Sequence, residues 1–378
     1  MKFIHLSDLH LGKRIYENSL IEDQKDILEK IFRIIEDEKP DGVLIAGDIY
    51  DKAFQPVDAI NLFDDFLNRL HERSTPVFII SGNHDSADRL AFGAKIMSAG
   101  GIHIAPPYQG DVYKLDLEDK HGLLHIYMLP FVKKSLVKSY FPDEKIETTT
   151  DALRCVLSHA KLNTDDRNIL IAHQFITGSQ TSDSEEYAVG GADNVDASVF
   201  DDFDYVALGH IHGPQSIARE TIRYCGTPLK YSFSEVDHEK SVTIVEMEEK
   251  GSVIIRTIPL KPLRDMRQLK GTYQELMDAG FNQENNRSDF YRIILTDEND
   301  VTDAIARLRT VYPNILTLEY DNKRTQASAE LTEAADTERK TPYDLFAEFF
   351  EWRNNSPMEP RQQKIISDLI QKIWEEEA

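Results

Sequence analysis

Unbroken apolar runs set the tightest limit on what this chain can fold into. Val43-Leu44-Ile45-Ala46 and Val77-Phe78-Ile79-Ile80 carry no polar position, and a strand of that pattern has to be covered on both faces. Around these runs strand and helix patterns alternate: strand 2–7, helix 22–36, strand 42–46, helix 57–72, strand 77–81, helix 88–98. That rhythm predicts a sheet with crossover helices. Further strand patterns at 102–105, 123–129, 169–172, 205–208 and 241–247 extend it to an α/β fold, two sheets packed as a sandwich with helices outside.

With 378 residues, the chain is long enough for one large domain with appendages. Residues 1–260 are expected to form that domain. The pattern restarts at Lys261-Pro262, where strand 290–295, helix 301–311 and strand 314–320 predict a small α+β capping domain over 261–321. Residues 322–340 are nearly devoid of apolar side chains and rich in Ala, Thr, Glu and Lys, which fits a flexible linker. Beyond it, Thr341-Pro342-Tyr343-Asp344 opens a helix with a capping hydroxyl, proline in the first turn and an acid behind it. A second helix starts at Pro360. Leu345, Phe346, Phe349 and Phe350, then Ile365, Ile366, Leu369, Ile370, Ile373 and Trp374, form apolar stripes at helical spacing. The pair either docks on its own domain or holds a partner, and the polar linker favours the partner.

Composition removes several classes. Hydrophobic residues at 41% and charged residues at 29% fit an ordinary globular protein. No apolar stretch approaches the roughly 18 residues of a membrane span, and His5 and Asp8 break up the start of the chain; a cytoplasmic protein without membrane contact is expected. Cys155 and Cys225 are the two cysteines, too few and too separated for a disulfide framework or zinc knuckle. The net charge of −23 argues against unaided grip on nucleic-acid phosphates, which relies on Lys and Arg. Bound divalent cations or a basic partner would have to offset it.

The chemistry-bearing residues share one structural address, the carboxyl end of a strand, where open α/β sheets place their ligands. Asp8-Leu9-His10 follows the first strand, and if the extended backbone continues, both side chains face one site. Gly47-Asp48 follows the second, with a carboxylate able to bridge two cations. Gly82-Asn83-His84-Asp85 follows the third. His173 ends the run Ile169-Leu170-Ile171-Ala172, and Gly209-His210-Ile211-His212 follows strand 205–208. A lone histidine after a strand is most often an ordinary surface or core residue. Seven nitrogen and oxygen donors in this order, Asp8, His10, Asp48, Asn83, His173, His210 and His212, with no cysteine among them, point instead to a metal site.

This ordered set resembles the calcineurin-like metallophosphoesterase superfamily. Residues 3–12, 204–212 and 224–232 look like those of bacterial nuclease subunits within it. The resemblance implies an α/β/β/α sandwich, one cation on Asp8, His10, Asp48 and His212, and a second on Asp48, Asn83, His173 and His210. It implies manganese as the usual ion and His84 as the catalytic group that steadies the phosphate or protonates the leaving oxygen. It also implies a DNA substrate, a coiled-coil ATPase partner, and a homodimer within a heterotetramer. Some relatives carry a histidine three residues after the bridging aspartate, where this chain has Asp51, so that phosphate contact is not expected. Lys13, Arg14, Lys52 and Arg89 lie in or near the motif loops and could touch a DNA backbone. The alternatives are a small-molecule phosphodiesterase, a protein phosphatase, disfavoured because Lys52-Ala53 follow Asp51, and a non-catalytic interaction platform.

Overall fold

The computed structural model describes residues 1–185, 193–281, 287–323, 325, 346–347, 350, 358–359, 361–367 and 369. Two six-stranded sheets dominate it. The first has the order Val253–Pro259, Ser241–Met247, Lys2–Leu6, Gly42–Ala46, Val77–Ile80, Ile102–Ile104. Its last four strands are parallel, while the other two pair antiparallel. The second has the order Gln215–Ile217, Arg219–Tyr224, Tyr205–Gly209, Arg167–His173, Gly122–Leu129, Tyr113–Asp119, with four parallel central strands between antiparallel edges.

The unbroken apolar runs are explained by where alternate side chains go. Leu44, Ala46, Phe78 and Ile80 join Ile126, Ile169, Ile171 and Ala207 in the core between the sheets. Val43, Ile45, Val77 and Ile79 face the opposite way, onto Ile27, Ile31 and Phe32 of helix Ile21–Glu38 and Phe63 and Leu70 of helix Val57–Glu72. The second sheet repeats the scheme, with Leu170, Ala172, Val206 and Leu208 packed on Leu153 and Val156 of helix Thr149–His159. Each position of the inner strands Gly42–Ala46, Val77–Ile80, Arg167–His173 and Tyr205–Gly209 is therefore covered, at about 1.5–3 kcal/mol per large apolar side chain. The architecture is the expected α/β/β/α sandwich.

Local expectations fail where the burial pattern is weak. The expected helix 88–98 is broken into Ala87–Leu90 and Ala94–Met97, because Gly93 adopts φ +76 in the left-handed region. Helix 301–311 shrinks to Ala304–Leu308 behind Asp303 at φ +56. Edge strands Tyr113–Asp119 and Val253–Pro259 escape the sequence reading because their side chains are largely half-buried or exposed, and helix Lys134–Tyr140 buries Val137 as its one fully covered residue.

Strands Met266–Gly271, Phe290–Leu295 and Ile315–Tyr320 form a three-stranded sheet in that order. The chain divides into two units within these strands: Met1–Gln268 with Asn286–Arg292 and Tyr312–Leu316, and Leu269–Asn285, Ile293–Val311 and Thr317–Ala378. The second unit includes helix Tyr273–Phe281, whose first amide donates to Asp297 at 2.7 Å. Most of the expected linker and of the expected helix pair lies outside the described residues; within the pair, 361–367 are helical. Among the described residues no helix is long and apolar enough to cross a membrane.

Candidate metal centre

Parallel pairing puts the carboxyl ends of Lys2–Leu6, Gly42–Ala46 and Val77–Ile80 along one edge of the first sheet, and those of Arg167–His173 and Tyr205–Gly209 along one edge of the second. The loops that leave these ends are tied together by their backbones. Asp8 N–H donates to Gly47 O at 3.0 Å, His10 N–H to Asp48 O at 3.0 Å, and Leu11 N–H to Ile49 O at 2.9 Å. Asp85 holds the next loop, accepting from the Ile49, Tyr50 and Gly82 amides at 3.0–3.1 Å.

The expectation that Asp8 and His10 converge through continued extension is wrong. Their φ values are +52 and +44, and Asp48 and His210 lie at +50 and +100. Such backbone in non-glycine residues is strained and persists where surroundings over-determine it. Tight left-handed turns, not strand alternation, aim these side chains inward. Glycine is demanded beside them. A Cβ on Gly47, at φ +84, would sit 2.4 Å from His173 Nδ1, and one on Gly209 would sit 1.9 Å from Ala46 O.

All seven expected ligand residues meet in one place. His10 Nε2 lies 3.1 Å from His212 Nε2, and Asp8, His10 and His212 offer donor atoms within 4.8 Å of one another, as do Asp8, Asp48 and His173. Asn83 Oδ1 is 3.0 Å from both His173 Nε2 and His210 Nδ1. Asp48 Oδ2 stands between the groups, 3.3 Å from His173 Nε2 and 3.8 Å from His10 Nε2. Ligands of one octahedral cation at about 2.1 Å lie about 3 Å from each other, so this spacing fits divalent ions.

The electrostatics fit as well. Burial drives His10 well below the usual imidazole range, and burial with the nearby His173 lowers His210 to about 3; both rings keep bare lone pairs. Burial lifts Asp8 to about 6. Against the penalty of burial, the Asp48 carboxylate raises His173 to about 9, and the surrounding imidazoles hold Asp48 well below the usual carboxylate range. His173 Nδ1–H donates to Ala46 O at 2.8 Å, which turns Nε2 toward Asp48 and Asn83. With His10 and His210 held neutral, the buried carboxylates of Asp8 and Asp48 face one raised imidazole, His173, and a divalent cation would add to their counter-charge.

His84 stands beside this cluster. Its amide donates to Asp48 Oδ1 at 2.9 Å, its Nδ1 pairs with Asp51 O at 3.1 Å, and its Nε2 is 3.9 Å from Asp48 Oδ2. A groove of about 460 Å³ lined by Asn83, Phe131, Lys133 and Leu136 opens next to it. Of the cations near the motif loops, Lys13 is engaged by Asp51 at 2.6 Å and Arg89 lies over the ring of Phe54. Sequence reasoning missed the groups behind the ligands. Gln24 donates to His10 O at 2.7 Å, Tyr231 O–H donates to Leu9 O, and Ser184, Glu185 and Lys240 all contact His212. None follows a strand end of the motif type, so no local signal marked them.

The family model for calcineurin-like phosphoesterases matches residues 1–214. The chain belongs to this family. As a calcineurin-like phosphoesterase it is a metal-dependent hydrolase of phosphate esters, and its buried donor cluster is a candidate site for the divalent ions that the family implies. A second family model, described as Type 5 capsule protein repressor C-terminal domain, matches residues 262–354. Over 322 residues the phosphoesterase is 36% identical to the SbcD subunit of the nuclease SbcCD from Staphylococcus epidermidis, a match covering 84% of this chain and 85% of the relative. It is an SbcD-type member of the family. Among solved structures, a dimetal phosphatase from Danio rerio aligns with 12% identity over 70% of this chain and 98% of its own, at a TM-score of 0.41. TT1561 of Thermus thermophilus aligns with 13% identity over 68% of this chain and 98% of its own, at 0.37.

Proposed function

We propose that this phosphoesterase is a DNA nuclease, the catalytic subunit of an SbcCD-type complex, acting as exonuclease on duplex ends and as endonuclease on hairpin and single-stranded DNA in the cytoplasm, in replication, recombination and repair. The observation that carries this reading is the meeting of seven nitrogen and oxygen donors around Asp48 Oδ2, in a chain that is similar to a nuclease subunit over 84% of its length. One ion is assigned to Asp8, His10, Asp48 and His212, and the other to Asp48, Asn83, His173 and His210. Two divalent ions, Mn²⁺ by the habit of the family, would there lower the pKa of water and neutralise charge on the phosphate under attack.

The chain's own groups do the rest. Asp48 stands between both halves of the donor set, while Asn83 Oδ1, 3.0 Å from both His173 Nε2 and His210 Nδ1, has the spacing of a third ligand beside those two rings. His84, tied through Nδ1 to the Asp51 carbonyl, turns its Nε2 edge to the cluster, where it steadies the phosphate or hands a proton to the leaving oxygen.

The domain assignment follows: 1–260 carries the chemistry, 261–321 caps it, 322–340 links, and 341–378 binds an SbcC-like coiled-coil ATPase through its apolar stripes. A homodimer within a heterotetramer is supported by an apolar patch on the phosphoesterase domain. Phe54, Val57, Phe92 and Ile96 are 78%, 69%, 86% and 82% exposed, and Ile60 and Phe92 line one shallow cavity. Such a patch marks a contact surface. Replacing Phe92 by Asp is expected to yield monomers by light scattering, and an unchanged dimer would remove this face from the interface.

The direct test incubates the full-length chain with Mn²⁺ and either hairpin or linear duplex DNA, with and without the coiled-coil ATPase. Hairpin opening is expected, with loss on adding EDTA and recovery with Mn²⁺. A chain ending at residue 340 is expected to lose the ATPase in co-purification while still cutting single strands. Intact DNA in every arm, alongside hydrolysis of a small phosphodiester, would overturn the DNA reading in favour of a small-molecule enzyme.

A further inference from the structure

Residues 224–235 supply no expected metal ligand, yet the fold presses them against one. Glu235 is fully buried. Its Oε2 receives the Lys240 ammonium, and its Oε1 receives the Tyr231 amide at 3.1 Å and Ser184 Oγ at 2.6 Å. Ser184 Oγ in turn lies 2.6 Å from His212 Nδ1. Ser182 Oγ also lies 3.1 Å from Ser184 Oγ but gives its hydrogen to Glu185 Oε2 at 2.9 Å, so these contacts favour one arrangement of protons. A carboxylate paired with an ammonium can accept but not donate, so the serine hydroxyl hydrogen points to Glu235. The serine oxygen then accepts, and the hydrogen it accepts is the one on His212 Nδ1. A neutral imidazole protonated at Nδ1 is bare at Nε2, the nitrogen that faces His10 Nε2 at 3.1 Å.

The backbone of His212 is clamped by the same group of residues. Glu185 Oε1 accepts its amide at 2.7 Å, and Lys240 Nζ donates to its carbonyl at 2.9 Å. Lys240 thus secures both the charge of Glu235 and the placement of the histidine. His173 has no such arrangement, since its Nδ1–H is held by the backbone carbonyl of Ala46 at 2.8 Å. The His173 ring is oriented by main chain, the His212 ring by two replaceable side chains.

We propose that Ser184 and Glu235 are positioning residues that hold His212 in its Nδ1–H tautomer and thereby set the affinity of the ion bound by Asp8, His10, Asp48 and His212. The inference rests on the ligand assignment proposed above and is independent of DNA as substrate. Outer partners of metal-ligating histidines are worth about 10–100-fold in affinity.

The test titrates the metal-free full-length chain with Mn²⁺ against a fluorescent chelator, for wild type, Ser184→Ala and Ser184→Thr. Wild type is expected to bind two ions per chain. Ser184→Ala is expected to bind one of them about 10–100-fold more weakly and the other unchanged, and Ser184→Thr, which keeps the hydroxyl, to recover the lost affinity. The ¹⁵N shifts of the His212 ring in the metal-free chain should report the Nδ1–H form in wild type and Ser184→Thr, and a gain of the Nε2–H form in Ser184→Ala. Wild-type affinity at both sites in Ser184→Ala overturns the proposal, as does equal weakening at both sites with a lowered melting temperature, the signature of a merely structural serine. Fewer than two ions on wild type would instead overturn the ligand assignment, and this proposal with it.

Discussion

Replacing His84 by alanine is expected to lower DNA cleavage by about 10²–10⁴-fold, the usual weight of a positioned general acid or base, with both ion sites still filled. The geometry separates these two properties. The His84 amide holds Asp48 Oδ1 at 2.9 Å, and alanine retains that backbone bond. The ring is tethered to Asp51 O and is only partly buried, with its Nε2 3.9 Å from Asp48 Oδ2, beyond hydrogen-bonding reach. Removing it leaves all seven assigned ligands in place, although its ring offers a nitrogen within 4.8 Å of donor atoms of His10 and Asp48. The measurements are Mn²⁺ content per chain after desalting and single-turnover cleavage of hairpin DNA. Unchanged turnover would remove His84 from the catalytic machinery, and loss of an ion would make it a ligand rather than an acid.

Asp48→Asn is expected to be more damaging, with both ions lost at micromolar Mn²⁺ and cleavage reduced by about 10³-fold or more, since bound cations supply several kcal/mol of charge stabilisation. Asparagine keeps the size and the Oδ1 acceptor for the His84 amide. What it removes is the negative charge that lies 3.3 Å from His173 and 3.8 Å from His10, a carboxylate placed to serve both halves of the cluster. The fold is expected to persist, because the loop carrying Asp48 is held separately by Asp85. Two ions retained per Asp48→Asn chain would show that the donor halves do not share this residue.

Much of the sandwich was legible in the sequence because burial on both faces leaves a local mark. A run such as Val43-Leu44-Ile45-Ala46 states by itself that neighbours cover it above and below, and the strands and helices expected there match the fold to within a few residues. Edge strands such as Tyr113–Asp119 carry no such mark, since their half-exposed faces accept polar residues. The helix expected over 88–98 was lost to one glycine, whose left-handed backbone costs little locally and redirects the chain. The site was legible in the same way. Asp8, His10, Asp48, Asn83, His173, His210 and His212 each follow a strand pattern that placed them at a sheet edge.

The sequence by itself determined which strands are covered and which donor residues stand at their ends, because both are encoded within a few neighbouring positions. Only the tertiary structure decided how the donors are aimed. Left-handed turns at Asp8, His10, Asp48 and His210 are held by bonds between loops distant in sequence, and the ring nitrogen that His212 presents is chosen by Ser184 and Glu235, 28 and 23 positions away along the chain. Proton placement depends on who sits opposite each lone pair, and that is a property of packing between segments rather than of any one of them.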